Sequence, residues 1–295
     1  MQRRHGTRGV TLVELVLVIV VGSVLAATLL VFLRPALEGY LAARARADLA
    51  AQADTALRRM TRDVRHAVPN SIRTPGGACF ELVPSAGGGR YRAGPDTVND
   101  AAPACAPAAD CAAALDPATA TAAFDVLSVL PSLPAPGDWV VVGNQSPGDV
   151  YVGSNRAAIT ALSIPAASFG RYRLAIVPQQ FPLGQASGRF SLVPDAQQAV
   201  FYVCSGADGT LDAHGDGKGT LYRLKRYGFN AAYPAACPSA AGADVLATRV
   251  RACNFVYDPN RGATQQSGFV WMEITLARNG ETAALAMGAH VENAP

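Results

Sequence analysis

Gly9-Val10-Thr11-Leu12-Val13-Glu14 opens an apolar run that continues from Leu15 to Leu33 as LVLVIVVGSVLAATLLVFL, and this stretch decides how the chain is read. Val10–Leu33 holds a single ionisable side chain, Glu14. As a helix the run would extend about 36 Å, against a hydrocarbon core of about 30 Å, so it is long enough to span a bilayer. A secretory signal has an apolar stretch of only about 7–15 residues and then a small-residue cleavage site. This run is longer, and no such site follows it. Arg3-Arg4 is continued by His5-Gly6 with no cleavable signal behind it, which argues against twin-arginine export. Met1–Gly9 is basic and free of acids, so the rule that positive charge stays inside predicts a cytoplasmic N-terminus, with everything after Leu33 across the membrane.

Composition agrees with one anchor and a folded body. The chain has 295 residues, 50% of them hydrophobic and 16% charged, which excludes a disordered polymer. The apolar excess is confined to one segment, which excludes a polytopic membrane protein. Arg3, Arg4 and Arg8 account for the net charge of +3, and the remaining 22 basic residues balance the 22 acidic ones. Such a neutral body is not expected to bind nucleic acid. With 28 glycines and 20 prolines the body is rich in turns, as β structure requires.

Glu14 is the informative residue. A carboxylate this far into an apolar helix costs about 2.5–3.5 kcal/mol on insertion scales and marks function by default. The alternative is an interfacial carboxylate that snorkels to water. Basic leader, Gly9, Glu14 at the fifth position after it, and an uninterrupted apolar helix together resemble the type IV prepilin cleavage and methylation motif. The resemblance implies cleavage between Gly9 and Val10 by a membrane prepilin peptidase, followed by N-methylation of Val10. Glu14, with Thr11 beside it, would act in assembly, pairing with the N-terminal amine of a neighbouring subunit. An acid in lipid is costly alone, so a cation supplied by the neighbour favours association. Val10 departs from the family, whose first mature residue is usually Phe or Met.

Beyond Leu33, Pro35 would kink a continuing helix without necessarily ending it. Leu37, Leu41, Ala45, Leu49, Ala53, Leu57, Met60, Val64 and Val68 then recur every three or four residues as one apolar stripe. Arg44, Arg46, Asp48, Asp54, Arg58, Arg59, Arg62, Asp63 and Arg65 lie mainly off it. Arg58, Arg59, Arg62, Arg65 and His66 crowd the last turns, where cations suit the helix dipole. They read as a solvated helix end or, alternatively, as a partner-binding patch. Pro69-Asn70 stops the helix.

The rest reads as β. Asp138–Val142, Arg171–Val177, Arg189–Val193 and Ala199–Cys204 are short runs bounded by turn residues. Phe269–Arg278 and the alternating Leu285, Met287, Ala289 and Val291 flank Asn279-Gly280 and predict a hairpin. Residues 101–123 hold 13 alanines, and residues 93–123 read as an Ala/Pro-rich surface excursion, with a short helix conceivable at 108–115. The expected fold is α+β and pilin-like: a long N-terminal helix, transmembrane over 10–33 and amphipathic over 34–68. It packs on an antiparallel sheet or sandwich within a head spanning 69–295.

Cys79, Cys105, Cys111, Cys204, Cys237 and Cys253 all follow the apolar run, and an even count in an oxidising compartment favours disulfides. Cys105–Cys111 would pin the Ala/Pro segment. The other four allow three pairings, among which Cys237–Cys253 closes the shortest stretch. A zinc site is the alternative, but no CxxC occurs and His5, His66, His214 and His290 are scattered. Asp208, Asp212 and Asp216, in the Gly-rich SGADGTLDAHGDGKG, are weak calcium candidates because their spacing is not that of an EF-hand. The plainer reading is a polar hairpin loop between Phe201–Cys204 and Thr220–Arg226. Gly87-Gly88-Gly89 lacks the ending of a phosphate loop, and no hydrolase, HExxH or kinase signature is present. No enzymatic activity and no cofactor are expected.

Residues 69–295 form a larger body than major pilins and pseudopilins commonly carry. Arg34-Pro35 with Gly39-Tyr40-Leu41, Ala56–Met60 with Asp63-Val64-Arg65, Pro69–Arg73, Gly87–Arg92 and the ending His290–Pro295 resemble the MshO group of minor pilins of mannose-sensitive haemagglutinin (MSHA) pilus biogenesis. The likeness is most specific over 9–92 and divergent over 93–250. PilW-type minor pilins and J-type pseudopilins of type II secretion are the broader relatives. The resemblance implies a non-enzymatic minor pilin of the bacterial inner membrane, later of the pilus. Its partners would be prepilin peptidase, major and minor pilins, an inner-membrane assembly platform and lipid. A type II secretion pseudopilin is the alternative. A membrane-tethered binding or enzymatic domain, with an accidental Gly9–Glu14 match, is a third reading.

Overall fold

A computed structural model describes residues 9–97, 111–183, 188–259 and 267–292. The chain separates into two compact units divided at Asp48/Leu49, within the first helix. That helix, α1, runs from Leu12 to Arg65 and passes through Pro35 without a break. Its first part is apolar on all sides and none of its membrane-length window is buried. The hydroxyls there are satisfied within the helix: Ser23 Oγ donates to the Val20 carbonyl and Thr28 Oγ1 to that of Val24.

In the second unit Leu49, Ala53, Ala56, Leu57, Met60 and Val64 are buried, the later members of the expected stripe together with Ala56. They share one core with Phe80, Tyr202, Leu221, Val250, Val270, Met272 and Ile274. The elements after α1 are β1 (Arg73–Gly76), β2 (Cys79–Leu82), β3 (Gly87–Arg90), β4 (Thr121–Val126), β5 (Trp139–Val141), α2 (Asp149–Val152) and β6 (Arg156–Ser163). There follow β7 (Tyr172–Gln179), β8 (Arg189–Val193), β9 (Val200–Ser205), β10 (Gly219–Lys225), β11 (Asp244–Asp258), β12 (Ser267–Arg278) and β13 (Glu281–Glu292).

Among the described residues these strands make two sheets, ordered β1-β2-β9-β10-β11-β12-β13 and β3-β8-β5-β6-β7-β4. Every pairing is antiparallel. The first sheet carries the helical part of the core on one face. The second has its own core of Leu115, Phe124, Val126, Val140, Ile159, Leu174, Phe190 and Leu192. This is the expected α+β, pilin-like architecture. The expected β12–β13 hairpin forms in register from Ser267↔Glu292 to Arg278↔Glu281. Asn279 and Gly280 both take positive φ, 51° and 80°, as a tight two-residue turn requires.

Three expectations need correction. Residues 93–123 are not wholly an excursion, because Thr121–Val126 is β4, with Phe124 and Val126 fully buried. The alanines hid it: β4 is held by pairing with β7 and by two large side chains, not by an apolar run. The conceivable helix at 108–115 is absent over 111–115, which is irregular, while 108–110 lie outside the described residues.

Cys237–Cys253 is replaced by Cys79–Cys237 and Cys204–Cys253. The reason is the pleat. Cys79 lies opposite Val203 and shares the cluster of Phe201 and Val203, whereas Cys204 and Cys253 belong to the helix-facing core. Neighbours Val203 and Cys204 point to opposite faces, so Cys237 and Cys253 are bridged on opposite sides of the sheet. Cys105, and with it the Cys105–Cys111 pairing, lies outside the described residues.

Asp63, which lies off the apolar stripe in sequence, is only 7% exposed.

Candidate functional site: the N-terminal segment

Gly9 and Val10 precede the helix, are non-helical, and are exposed. A Cβ placed on Gly9 would meet no described atom within 4 Å, so that side of its backbone is open. Thr11 caps the helix: its Oγ1 accepts the Glu14 backbone N–H at 3.2 Å, and its carbonyl accepts that of Leu15 at 3.1 Å. Glu14 is thus the third residue of the first turn, where the helix dipole favours a carboxylate. The signal was present in the sequence but not read from it, since Thr-x-x-Glu ahead of an apolar run is the pattern of a capping box. Val10, Leu12 and Val13 are 69–78% exposed, as expected of a segment with a role outside its own fold.

The remaining candidates scatter. Asp208 takes the Thr210 hydroxyl (2.6 Å) and backbone N–H (2.9 Å), with Lys218 at 3.4 Å. The Thr210 bonds, with Lys218, hold its carboxyl down at about 2. Asp212 accepts the backbone N–H groups of His214 and Asp216. Asp216 accepts from Asn279 N–H and Arg249 Nε, at 2.9 and 2.8 Å. Each carboxylate thus ends on protein donors, and among the described residues no group of three metal-type ligands converges. The loop is the expected hairpin connection between β9 and β10. It is also docked on the β12–β13 turn, where Gly280 N–H donates to Gly215.

Two buried polar networks were not anticipated. Asp63 Oδ2 accepts from the Tyr202 hydroxyl (2.7 Å) and from Arg223 Nη2 and Nε (2.7 and 2.9 Å). Burial, then the Asp63 charge, pushes the Tyr202 hydroxyl up, so it stays a donor. Arg73, 1% exposed, stacks its guanidinium 3.4 Å from the Tyr151 ring centroid and donates to the carbonyls of Pro147, Asn230 and Ala232. Beside it Glu81 accepts the Tyr227 hydroxyl at 2.6 Å, and Glu81 Oε2 lies 3.7 Å from Arg73 without a hydrogen-bond donor. Burial raises the Glu81 carboxyl, opposed by Tyr227 and Arg73. The sequence signal was a lone charge inside an apolar run: Glu81 in Cys79–Val83 and Arg223 in Leu221–Leu224.

Comparison with known proteins touches only the first of these places. Residues 4–30 match the family described as "Prokaryotic N-terminal methylation motif". No curated protein and no solved structure matches the chain. The N-terminus is therefore of the type IV pilin or pseudopilin kind, which implies processing by prepilin peptidase and a place in pilin assembly. Proteins of this kind are normally structural rather than enzymatic. The single apolar helix is compatible with a membrane anchor. The match ends at residue 30 and does not describe the β-rich body.

Proposed function

We propose that this chain is a minor type IV pilin of the MSHA class, incorporated into the pilus or priming its assembly. Met1–Gly9 is the leader that prepilin peptidase removes and Val10 the residue then methylated. Residues 10–33 anchor the subunit in the bacterial inner membrane, and 34–68 with 69–295 stand in the periplasm before export. The reading is carried by one coincidence. A non-helical, open Gly9–Val10 junction leads directly into a helix capped by Thr11, with Glu14 in its first turn and an unburied apolar surface behind it. Cleavage there leaves the new amine one turn from the acid it must meet on a neighbouring subunit. The size of the body and the likeness over 9–92 support a minor MSHA-type component.

Expression of the full chain with and without prepilin peptidase, followed by mass spectrometry of the N-terminus, tests the proposal. Loss of Met1–Gly9 with a methyl group on Val10 is expected, and a chain still beginning at Met1 overturns it. Gene neighbours encoding a secretin and exported hydrolases, in place of pilus ATPase and pilins, would assign the subunit to type II secretion.

A further inference from the structure

The end of a β-sheet presents unpaired backbone groups that recruit another strand unless something blunts them. Among the described residues, three of the four sheet ends are blunted. β1 is four residues long, carries Pro75 and shifts register against β2. On the outer side of β3 the Leu127 N–H donates to the Arg90 carbonyl, and the Arg90 N–H donates to Ser128 Oγ. On the outer side of β4 the Asp125 N–H donates to the Ala113 carbonyl, and the Asp125 carbonyl accepts the Arg92 N–H.

β13 is the exception. It is the last strand of its sheet and spans 12 residues. Its register with β12 is unbroken, so no bulge twists the edge away. Thr282–Val291 contains no proline and no Lys, Arg, Asp or Glu. The two-residue turn makes Arg278 and Glu281 the closing hydrogen-bonded pair, and such pairs alternate along an antiparallel ladder. The N–H and C=O groups of Thr282, Ala284, Ala286, Gly288 and His290 therefore face away from β12, and no described group bonds them. On the other face Leu285 and Met287 are only partly buried against the core they share with α1, so that core stays open at this edge.

We infer that β13 is an acceptor edge, completed by an extended strand of a different protein chain. Donors and acceptors alternating at strand spacing are matched by another extended backbone, and an apolar residue at every second position of that strand would close the core over Leu285 and Met287. A second copy does not fit. Joining two β13 edges antiparallel in one sheet requires a two-fold axis normal to it, so the Leu49–Arg65 parts of the two α1 helices would run in opposite directions. Chains anchored in one membrane through residues 10–33 enter their bodies in the same sense, a step that rests on the proposed pilin. Parallel joining would put the two helical cores on opposite faces of the sheet, so neither would be completed.

The test uses the full chain in detergent. The donor is a synthetic peptide of residues 268–277, the sequence that β13 already accepts on its other side, with flanking lysines for solubility. On adding peptide, hydrogen exchange read residue by residue should slow at least about tenfold at Thr282, Ala284, Ala286, Gly288 and His290, with the intervening amides unchanged. A scrambled peptide without the alternation should give no protection, nor should one N-methylated at the positions of Trp271, Glu273 and Thr275. Ala286→Pro removes one outward N–H and no bond to β12. Its urea midpoint should stay near the parent's while its affinity for the peptide falls at least about tenfold. If that variant misfolds, the N-methylated peptide on the parent chain decides. Absence of the alternating protection, protection by the scrambled or N-methylated peptide, or undiminished binding in a folded Ala286→Pro chain overturns the inference. So does the same protection in a dimer without peptide, which would give the edge to a second copy. None of these readouts involves cleavage after Gly9, so failure here is distinct from failure of the pilus reading.

Discussion

Replacing Asp63 by Ala should destabilise the body by about 3 kcal/mol at neutral pH. The substitution leaves Arg223, 4% exposed, and the fully buried Tyr202 facing an empty acceptor position. Breaking a buried pair by removing one partner costs about 3–5 kcal/mol, because the other charge stays desolvated. The low end applies here, since Arg223 keeps Gln197 Oε1 at 2.6 Å and the Tyr202 hydroxyl at 3.2 Å. Asp63→Asn, which keeps an acceptor and loses the charge, should cost less than Asp63→Ala. Asp63→Leu combined with Arg223→Met should recover most of the loss, because an apolar pair needs no counter-charge. Urea unfolding of the detergent-solubilised chain, followed by tryptophan fluorescence, gives each free energy, and an unchanged slope shows that only stability moved. A loss below about 1 kcal/mol for Asp63→Ala, or a double variant no better than the single one, would refute the reasoning.

Glu14→Leu should leave cleavage after Gly9 intact while lowering the amount of subunit in sheared filaments; recovery at the parent level would contradict the assembly role. Glu81→Gln should change the pH profile of stability. Burial raises the Glu81 carboxyl in the fold, so the native state binds that proton more tightly, and the parent loses stability as pH rises from its ordinary range through the raised value. The Gln variant lacks this loss, so its stability relative to the parent should increase from acid to neutral pH; a gap constant with pH would exclude the effect. Cys79→Ala with Cys237→Ala opens a link spanning 158 positions. It should cost about 4–5 kcal/mol on loop entropy, checked by urea midpoints of oxidised protein, and a cost under about 1 kcal/mol would refute that estimate.

What the sequence made legible follows from how each part is stabilised. The apolar run, Glu14, and the helix from Leu49 onward were readable because period and composition alone define them. Arg189–Val193 and the hairpin across Asn279-Gly280 were readable because turn chemistry and alternation coincide there. β2 and β3 were not. β2 is buried at all four positions, one of them Glu81, so it shows neither alternation nor an uncharged run. β3 is Gly87-Gly88-Gly89-Arg90, with no side-chain pattern at all. It forms because β8 approaches so closely that a Cβ on Gly88 would collide with backbone. The same blindness applied to Asp63, Arg73 and Arg223, since a charge reads as surface until its partner, 139 to 160 positions away for Asp63, is brought beside it. Local pattern therefore identifies the segment of this molecule that is long and apolar enough to cross a membrane, while the polar networks of the body reside in long-range pairings that no local pattern encodes.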